Sequence, residues 1–188
     1  MARPVKFAHV VYQTRRFDEM VAWYQDVFEA EVVSQSPAFA FLTYDDEHHR
    51  FAFVNLGPAR EGADERPATA TGLNHLGYTW RNLNELMDTY ARLKGQGIMP
   101  SRPVRHGPTL SLYYRDPDHN GLEFQVDLLE AEDANRFMRG PAFAANPIGE
   151  PFDPDALATR LAQDKPVNDL IFRSDQAQSK ASSDVHDP

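Results

Sequence analysis

Cysteine is absent from this chain of 188 residues. That removes disulfides, thiolate metal sites and cysteine nucleophiles at once. Long apolar runs are absent too: none approaches the roughly 18 residues of a membrane span. The first residues, "MARPVKFAHVV", carry no secretion-signal pattern. Positive charge is scarce, with 19 Lys and Arg against 28 Asp and Glu and a net charge of −9. Without a basic stripe, nucleic acid is not an expected partner. The expectation is a cytoplasmic protein with no membrane association. At this length a single domain with a terminal extension is expected, large enough to bury a core without staples.

What the chain does have is the same module twice. "HVVYQTRRFDEMVAWYQDVF" from His9 lies on "HLGYTWRNLNELMDTYARLK" from His75 at an offset of 66. His9 meets His75, Tyr12 meets Tyr78, Arg15 meets Arg81 and Tyr24 meets Tyr90. Further on the offset becomes 71, and "YDDEHHRFAF" lies on "RDPDHNGLEF". Two matching runs in the same order mark an internal repeat. Each copy reads as a strand, a helix and further strands. Phe17, Met20, Val21, Tyr24 and Phe28 recur at helical spacing, as do Leu83, Leu86, Tyr90 and Leu93. "KFAHVVY", "AFAFLTY", "RFAFVNL", "LNHLGYT", "TLSLYYR" and "LEFQVDL" read as strands.

The expected organisation is an α+β fold of two βαβββ modules in one domain, with a C-terminal arm. The first module covers 1–56, a Gly/Ala/Pro-rich linker 57–72, and the second module 73–130. An extended arm with a short helix at 155–162 covers 131–173, where Asp153 or Asp155 would cap the helix and Pro154 would open it. The polar tail 174–188 is expected to be disordered.

On "LEFQVD", Leu122, Phe124 and Val126 share one face, and Glu123, Gln125 and Asp127 the other. A carboxylate at mid-strand is costly unless paired or metal-bound. Two histidines at equivalent repeat positions plus one strand carboxylate make a two-His-one-carboxylate set, the facial triad of non-heme Fe(II) sites. Taken singly, each of the three also reads as an ordinary structural or solvent-facing residue. The repeat partner of Glu123 is Ala52, so a fourth ligand is missing and coordination space is open. Two adjacent histidines, His48 and His49, precede a strand in "DDEHHRFAFVNLG". Turn residues, metal ligands or an acid–base group are all open readings for them.

With His9, His75 and Glu123 in place, the paired modules resemble the vicinal-oxygen-chelate superfamily. "HHRFAF", "RHG" at 105–107 and "LYYRDPDHNGLEF" at 112–124 look like the type I extradiol ring-cleavage dioxygenases. The likeness is to their small one-domain members acting on 2,3-dihydroxybiphenyl, whose tails also resemble "FAANPIGEPFDPDAL". One departure is His119, where the superfamily usually has glycine.

The resemblance implies that His9, His75 and Glu123 bind Fe(II), with Mn(II) as the alternative. It makes His49 the acid–base histidine, Tyr113 an active-site tyrosine and His106 a neighbour of the ring hydroxyls, all three in catalytic roles. His48 matches no ligand and, aligned with His119, is expected to share its turn role. The implied substrates are a small aromatic diol and O₂, in aromatic compound catabolism. Phe7, Phe51, Phe53, Tyr78 and Trp80 are expected either to suit that aromatic ligand or to pack the core. Two other readings remain. One is a non-redox metal enzyme of the same fold, glyoxalase- or epimerase-like. The other is a binding protein conferring resistance to a small molecule. A homo-oligomer is expected, because Phe137, Met138, Phe143, Ile148 and Phe152 make the arm too apolar to hang free. The arm would equally serve to close its own active site.

Overall fold

The computed structural model describes residues 3–58 and 71–173. Most of the expected linker and the whole of the expected tail lie outside the described residues. The chain divides into two compact units. Unit 1 comprises residues 1–74 with the turn 116–120, and unit 2 comprises 75–115 and 121–188.

Unit 1 runs β1 (Val10–Thr14), α1 (Phe17–Phe28), β2 (Glu31–Gln35), β3 (Phe39–Thr43) and β4 (Phe51–Asn55). Its sheet has the order β1-β4-β3-β2. Unit 2 repeats the plan with β5 (His75–Thr79), α2 (Leu83–Gly95), β6 (Arg102–Arg105), β7 (Thr109–Arg115) and β8 (Gly121–Asp127), in the order β5-β8-β7-β6. In each unit the first strand pairs in parallel with the last, and the other pairings are antiparallel. The registers carry the sequence offsets directly. Val10 pairs with Phe51, and their repeat partners Leu76 and Leu122 pair with each other.

Each sheet lays one face on its helix. In unit 1, Met20, Val21 and Tyr24 of α1 are buried with Leu42, Phe51 and Phe53. The Tyr24 ring stands edge-on to Phe51 and Phe53 at 4.7 and 5.0 Å. In unit 2, Leu86, Tyr90 and Leu93 of α2 are buried with Leu112, Tyr114, Leu122 and Phe124. Alternation then sends Phe41, Ala52, Tyr113 and Glu123 to the opposite faces. Phe51 and Phe53 therefore belong to the core, and Trp80 packs on Phe124 at 4.5 Å. Phe7, at 66% exposure, is not core.

The arm is mostly helical rather than extended, with α3 (Ala131–Met138), α4 (Pro141–Ala145), α5 (Pro154–Ala162) and α6 (Asn168–Ile171). A two-residue strand, β9 (Glu150–Pro151), adds itself to the free edge of β6. The sequence reading missed α3 although Ala131, Ala134, Phe137 and Met138 recur at helical spacing, and it missed α4 because five residues are too few to show a period. Asp153 caps α5, its Oδ1 accepting from the amides of Asp155 and Ala156, with Pro154 in the first turn. Tyr90 then ties α5 to α2 by donating to Asp155 Oδ1 at 2.7 Å.

The turn at 116–120 explains the His119 departure. His119 has φ 64°, in the left-handed region where glycine is the easy choice. Asp116 braces the turn by accepting from the backbone and side chain of Asn120, each at 2.8 Å, and from Tyr24 at 3.1 Å. Burial pushes its carboxyl above the usual range despite these donors. His48 does not share this role, because its φ is not positive. The first-copy hairpin is one residue longer: Leu42 pairs nine residues on with Phe51, Tyr114 eight residues on with Leu122. A β-branched residue is strained in the left-handed region. His119→Val is therefore expected to cost about 1–2 kcal/mol, read as a lower urea midpoint, while His119→Gly is tolerated.

Candidate metal centre and catalytic residues

In unit 2 four of the six expected site residues meet on the face of the sheet away from α2. Glu123 sits at mid-β8, flanked in register by Gly77 of β5 and Tyr113 of β7. Only 9% of it is exposed. Its Oε2 lies 3.0 Å from His75 Nε2. Its Oε1 accepts from the Tyr113 hydroxyl at 2.8 Å. The hydroxyl also bonds His106 Nε2 at 3.0 Å, and that nitrogen lies 3.6 Å from Glu123 Oε1. A chain of polar atoms thus runs from His106 through Tyr113 to the carboxylate and on to His75.

The strand register makes this set. Tyr113 faces Glu123 because β7 and β8 are antiparallel neighbours, and His75 opens β5 one turn of the pleat away. His106 begins the tight connection from β6 to β7, where its amide donates to Thr109 O at 2.9 Å. Burial and the Glu123 carboxylate push the Tyr113 pKa up to about 12. Burial pushes the His106 pKa down, against the pull of Glu123.

Unit 1 holds the other two. His9 stands immediately ahead of β1, and His49 in the β3–β4 connection. Their rings lie 4.5 Å apart, and Phe41 meets His49 edge-on at 5.3 Å. Burial lowers the His49 pKa, and His9 and His48 push the same way. The side chain of His48 is mostly exposed, with its Nδ1 2.6 Å from that of His49. At the positions equivalent to Tyr113 and Glu123, unit 1 has the opposed pair Phe41 and Ala52. The polar pair of one sheet is an apolar pair in the other.

The donor set of unit 2 fits a first-row divalent metal. A buried carboxylate and an imidazole, both hard or borderline donors, suit Fe(II) or Mn(II). Two neighbouring ligands at about 2.1 Å from one ion, set at a right angle, lie about 3.0 Å apart, which matches the His75–Glu123 separation. Among the described residues no group of three or more His, Asp or Glu side chains stands gathered to hold a metal ion.

Two residues here were not read from the sequence. Arg102 of β6 stacks its guanidinium 4.5 Å from the Tyr113 ring centre. Its strand, "RPVR", is short and contains proline, so no strand pattern drew attention to it. Arg173, beyond α6, donates to the His106 carbonyl at 3.3 Å. No local motif marks it.

Residues 6–124 match the model of the Glyoxalase/Bleomycin resistance protein/Dioxygenase superfamily. The chain is 43% identical over 169 residues to Biphenyl-2,3-diol 1,2-dioxygenase 2 of Rhodococcus globerulus, covering 89% of this chain and 87% of the relative. It is 42% identical over 170 residues to Biphenyl-2,3-diol 1,2-dioxygenase 3 of the same organism, covering 90% and 88%. Among solved structures, lactoylglutathione lyase from Agrobacterium tumefaciens superposes with a TM-score of 0.52 at 20% identity, covering 66% of this chain and 96% of that one. A glyoxalase/bleomycin resistance protein/dioxygenase from Alicyclobacillus acidocaldarius gives 0.52 at 18% identity, covering 73% and 99%. At these identities the structural likeness speaks to the fold. Among the described residues no helix is long and apolar enough to cross a membrane.

Proposed function

This chain belongs to the glyoxalase/bleomycin resistance protein/dioxygenase superfamily, and from that premise we propose that it cleaves the ring of a catechol-type aromatic diol in the extradiol manner, using O₂. The reading extends to the cytoplasm as its location and to aromatic catabolism as its setting. The observation that carries it is the buried Glu123 carboxylate, held between His75 Nε2 and the Tyr113 hydroxyl. The named relatives, 42–43% identical, act on a diol of biphenyl.

His75 and Glu123, with His9 as the third ligand, would hold one Fe(II), or Mn(II) in its place. Such an ion, when bound, supplies Lewis acidity toward the diol oxygens and a site for O₂. In the overall reaction the ring carbon–carbon bond beside one hydroxyl breaks. Both atoms of O₂ enter the product, and no external reductant is consumed.

The remaining chemistry belongs to the protein. His49 stays neutral at neutral pH because burial and its histidine neighbours disfavour the cation. It is therefore free to take a proton from the diol and return it later. Tyr113 remains a phenol, since its pKa lies near 12. Its one hydroxyl proton goes to Glu123 Oε1, with His106 Nε2 bonded to the same hydroxyl, and would turn to the diol once Glu123 binds a metal. Together they orient one diol oxygen and stabilise charge that develops on it. Unit 1 has Phe41 and Ala52 where unit 2 has Tyr113 and Glu123, so its sheet offers no fourth ligand. That absence separates this reading from a glyoxalase- or epimerase-like one.

The test is anaerobic Fe(II) reconstitution, followed by O₂ uptake and product absorbance with a panel of catechols. The expected result is stoichiometric uptake and a yellow ring-opened product. No uptake with any catechol, or a colourless product of cleavage between the hydroxyls, would overturn the reading.

The same reading includes a homo-oligomer, supported by the apolar Met138 and Ile148, which remain 52% and 63% exposed on the arm. Light scattering is expected to give a mass of two or more chains. A monomeric mass refutes the oligomer and leaves the ring-cleavage reading intact.

A further inference from the structure

The arm reaches back to the β6–β7 connection at three points. Arg173 is only 2% exposed although it is an arginine. Its Nη1 donates to the carbonyls of His106 at 3.3 Å and Asn146 at 2.7 Å, and its Nη2 to that of Ala142 at 3.3 Å. Its guanidinium also lies 5.6 Å from the centre of the Phe137 ring. Phe137 in turn presses on Gly107: a Cβ there would come within 2.5 Å of the ring, and its φ of 112° already favours glycine. At the third point Gly149, with φ 88°, lets the 146–149 turn close on β6. A Cβ there would meet Arg105 O at 2.6 Å and His106 Cα at 3.0 Å. Asn146 fixes this turn by bonding both the carbonyl and the amide of Gly149.

A guanidinium is costly to bury, and its fork matches several fixed carbonyls better than an ammonium does. The fork here joins α4, the 146–149 turn and the carbonyl of the residue whose ring holds the Tyr113 hydroxyl. Surface burial alone would not require it.

We propose that Arg173 is a positioning residue. By gripping the His106 carbonyl while Phe137 pins Gly107, it sets the His106 ring against Tyr113, so the C-terminal arm completes the active site of its own subunit. The proposal rests on the ring-cleavage reading only for the role of His106 in turnover. The positioning itself is a property of the folded chain.

Two measurements on the full-length protein test it. The first is the ring resonance of His106 in ¹⁵N-histidine-labelled protein without added metal, assigned with His106→Asn. Arg173→Ala is expected to shift or broaden that resonance while the other histidines and the circular dichroism stay unchanged. The second is turnover of the Fe(II)-loaded enzyme. The variant is expected to lose roughly 10- to 100-fold in kcat, the usual cost of removing an outer-shell partner. Its KM should stay within about threefold, because misorientation of a group acting at the reacting atoms falls mainly on kcat. Added guanidinium ion should restore part of the rate. If Arg173→Ala does not fold, Arg173→Lys carries the test, since one ammonium does not span three carbonyls, and the same shift is expected. An unchanged His106 resonance in the folded variant overturns the proposal, whatever the activity. If the resonance moves but the wild-type protein opens no catechol ring, the positioning stands and the ring-cleavage reading falls.

Discussion

Glu123→Ala is expected to empty the metal site and reduce ring cleavage by about 10³-fold or more, since a Lewis-acid contribution of several kcal/mol is lost with the ion. The fold should survive, because the repeat has already made the experiment. Ala52 occupies the equivalent position of β4, buried at the same register beside β1 and opposite Phe41. The change gives the second sheet what the first sheet has. Without metal, Glu123 is a buried carboxylate held by one hydroxyl and one imidazole. Burying such a charge is unfavourable, and removing one partner is costly chiefly when it strands the other. Here the Tyr113 hydroxyl keeps His106 Nε2, and the His75 side chain is 34% exposed to water. Metal-free Glu123→Ala should therefore unfold at the same temperature as the metal-free parent or higher. Metal analysis and thermal unfolding of the two proteins decide the matter. A variant that keeps full metal occupancy removes Glu123 from the ligand set. A variant that is markedly less stable without metal means that the carboxylate is there for the fold. His75→Ala is expected to lose the metal likewise.

The parts of this site that were legible in the sequence are those that the repeat made comparable. His75 and Glu123 stood out because His9 and Ala52 mark the same positions in the other copy, and the two registers reproduce that alignment residue by residue. Tyr113 was legible only through the resemblance carried by "LYYRDPDHNGLEF", and its counterpart Phe41 emerges from the strand registers. The helices α1 and α2 were legible because each buries a continuous stripe at helical spacing. What stayed hidden lacks a period or a counterpart. Strand β9 is two residues long and α4 five, too short to show a period. Helix α3 is the exception, since Ala131, Ala134, Phe137 and Met138 do recur at helical spacing and were overlooked. Arg102 and Arg173 act through contacts set by tertiary placement, one across a strand pair and one across more than sixty residues of chain. The pairing of His48 with His119 misled for a definite reason. An alignment slides over the extra residue in the first hairpin, whereas the backbone must absorb it, and only His119 is left-handed.

His49→Phe is expected to keep its metal and still bind catechol, yet turn over roughly 10²- to 10⁴-fold more slowly, the usual contribution of a positioned proton donor or acceptor. Phenylalanine preserves the planar contacts of the ring, 4.5 Å from His9 and 5.3 Å from Phe41, so packing around the expected ligand should hold. What disappears is a pair of ring nitrogens in a half-buried place where the neutral form is favoured. His48→Phe should fall far less. Its side chain is mostly solvent-exposed, and its nearby charged neighbour is Glu47, which also pairs with Lys6. The short contact between the two Nδ1 atoms, 2.6 Å, raises one competing outcome: a relay in which His48 passes the proton on to solvent. A relay predicts that both variants lose similar amounts of rate. A single acid–base residue predicts a large loss for His49→Phe alone. Metal content and catechol affinity must be measured alongside turnover, because loss of either would assign His49 to binding instead. Normal turnover in His49→Phe, or a larger loss in His48→Phe, would refute the assignment of the proton to His49.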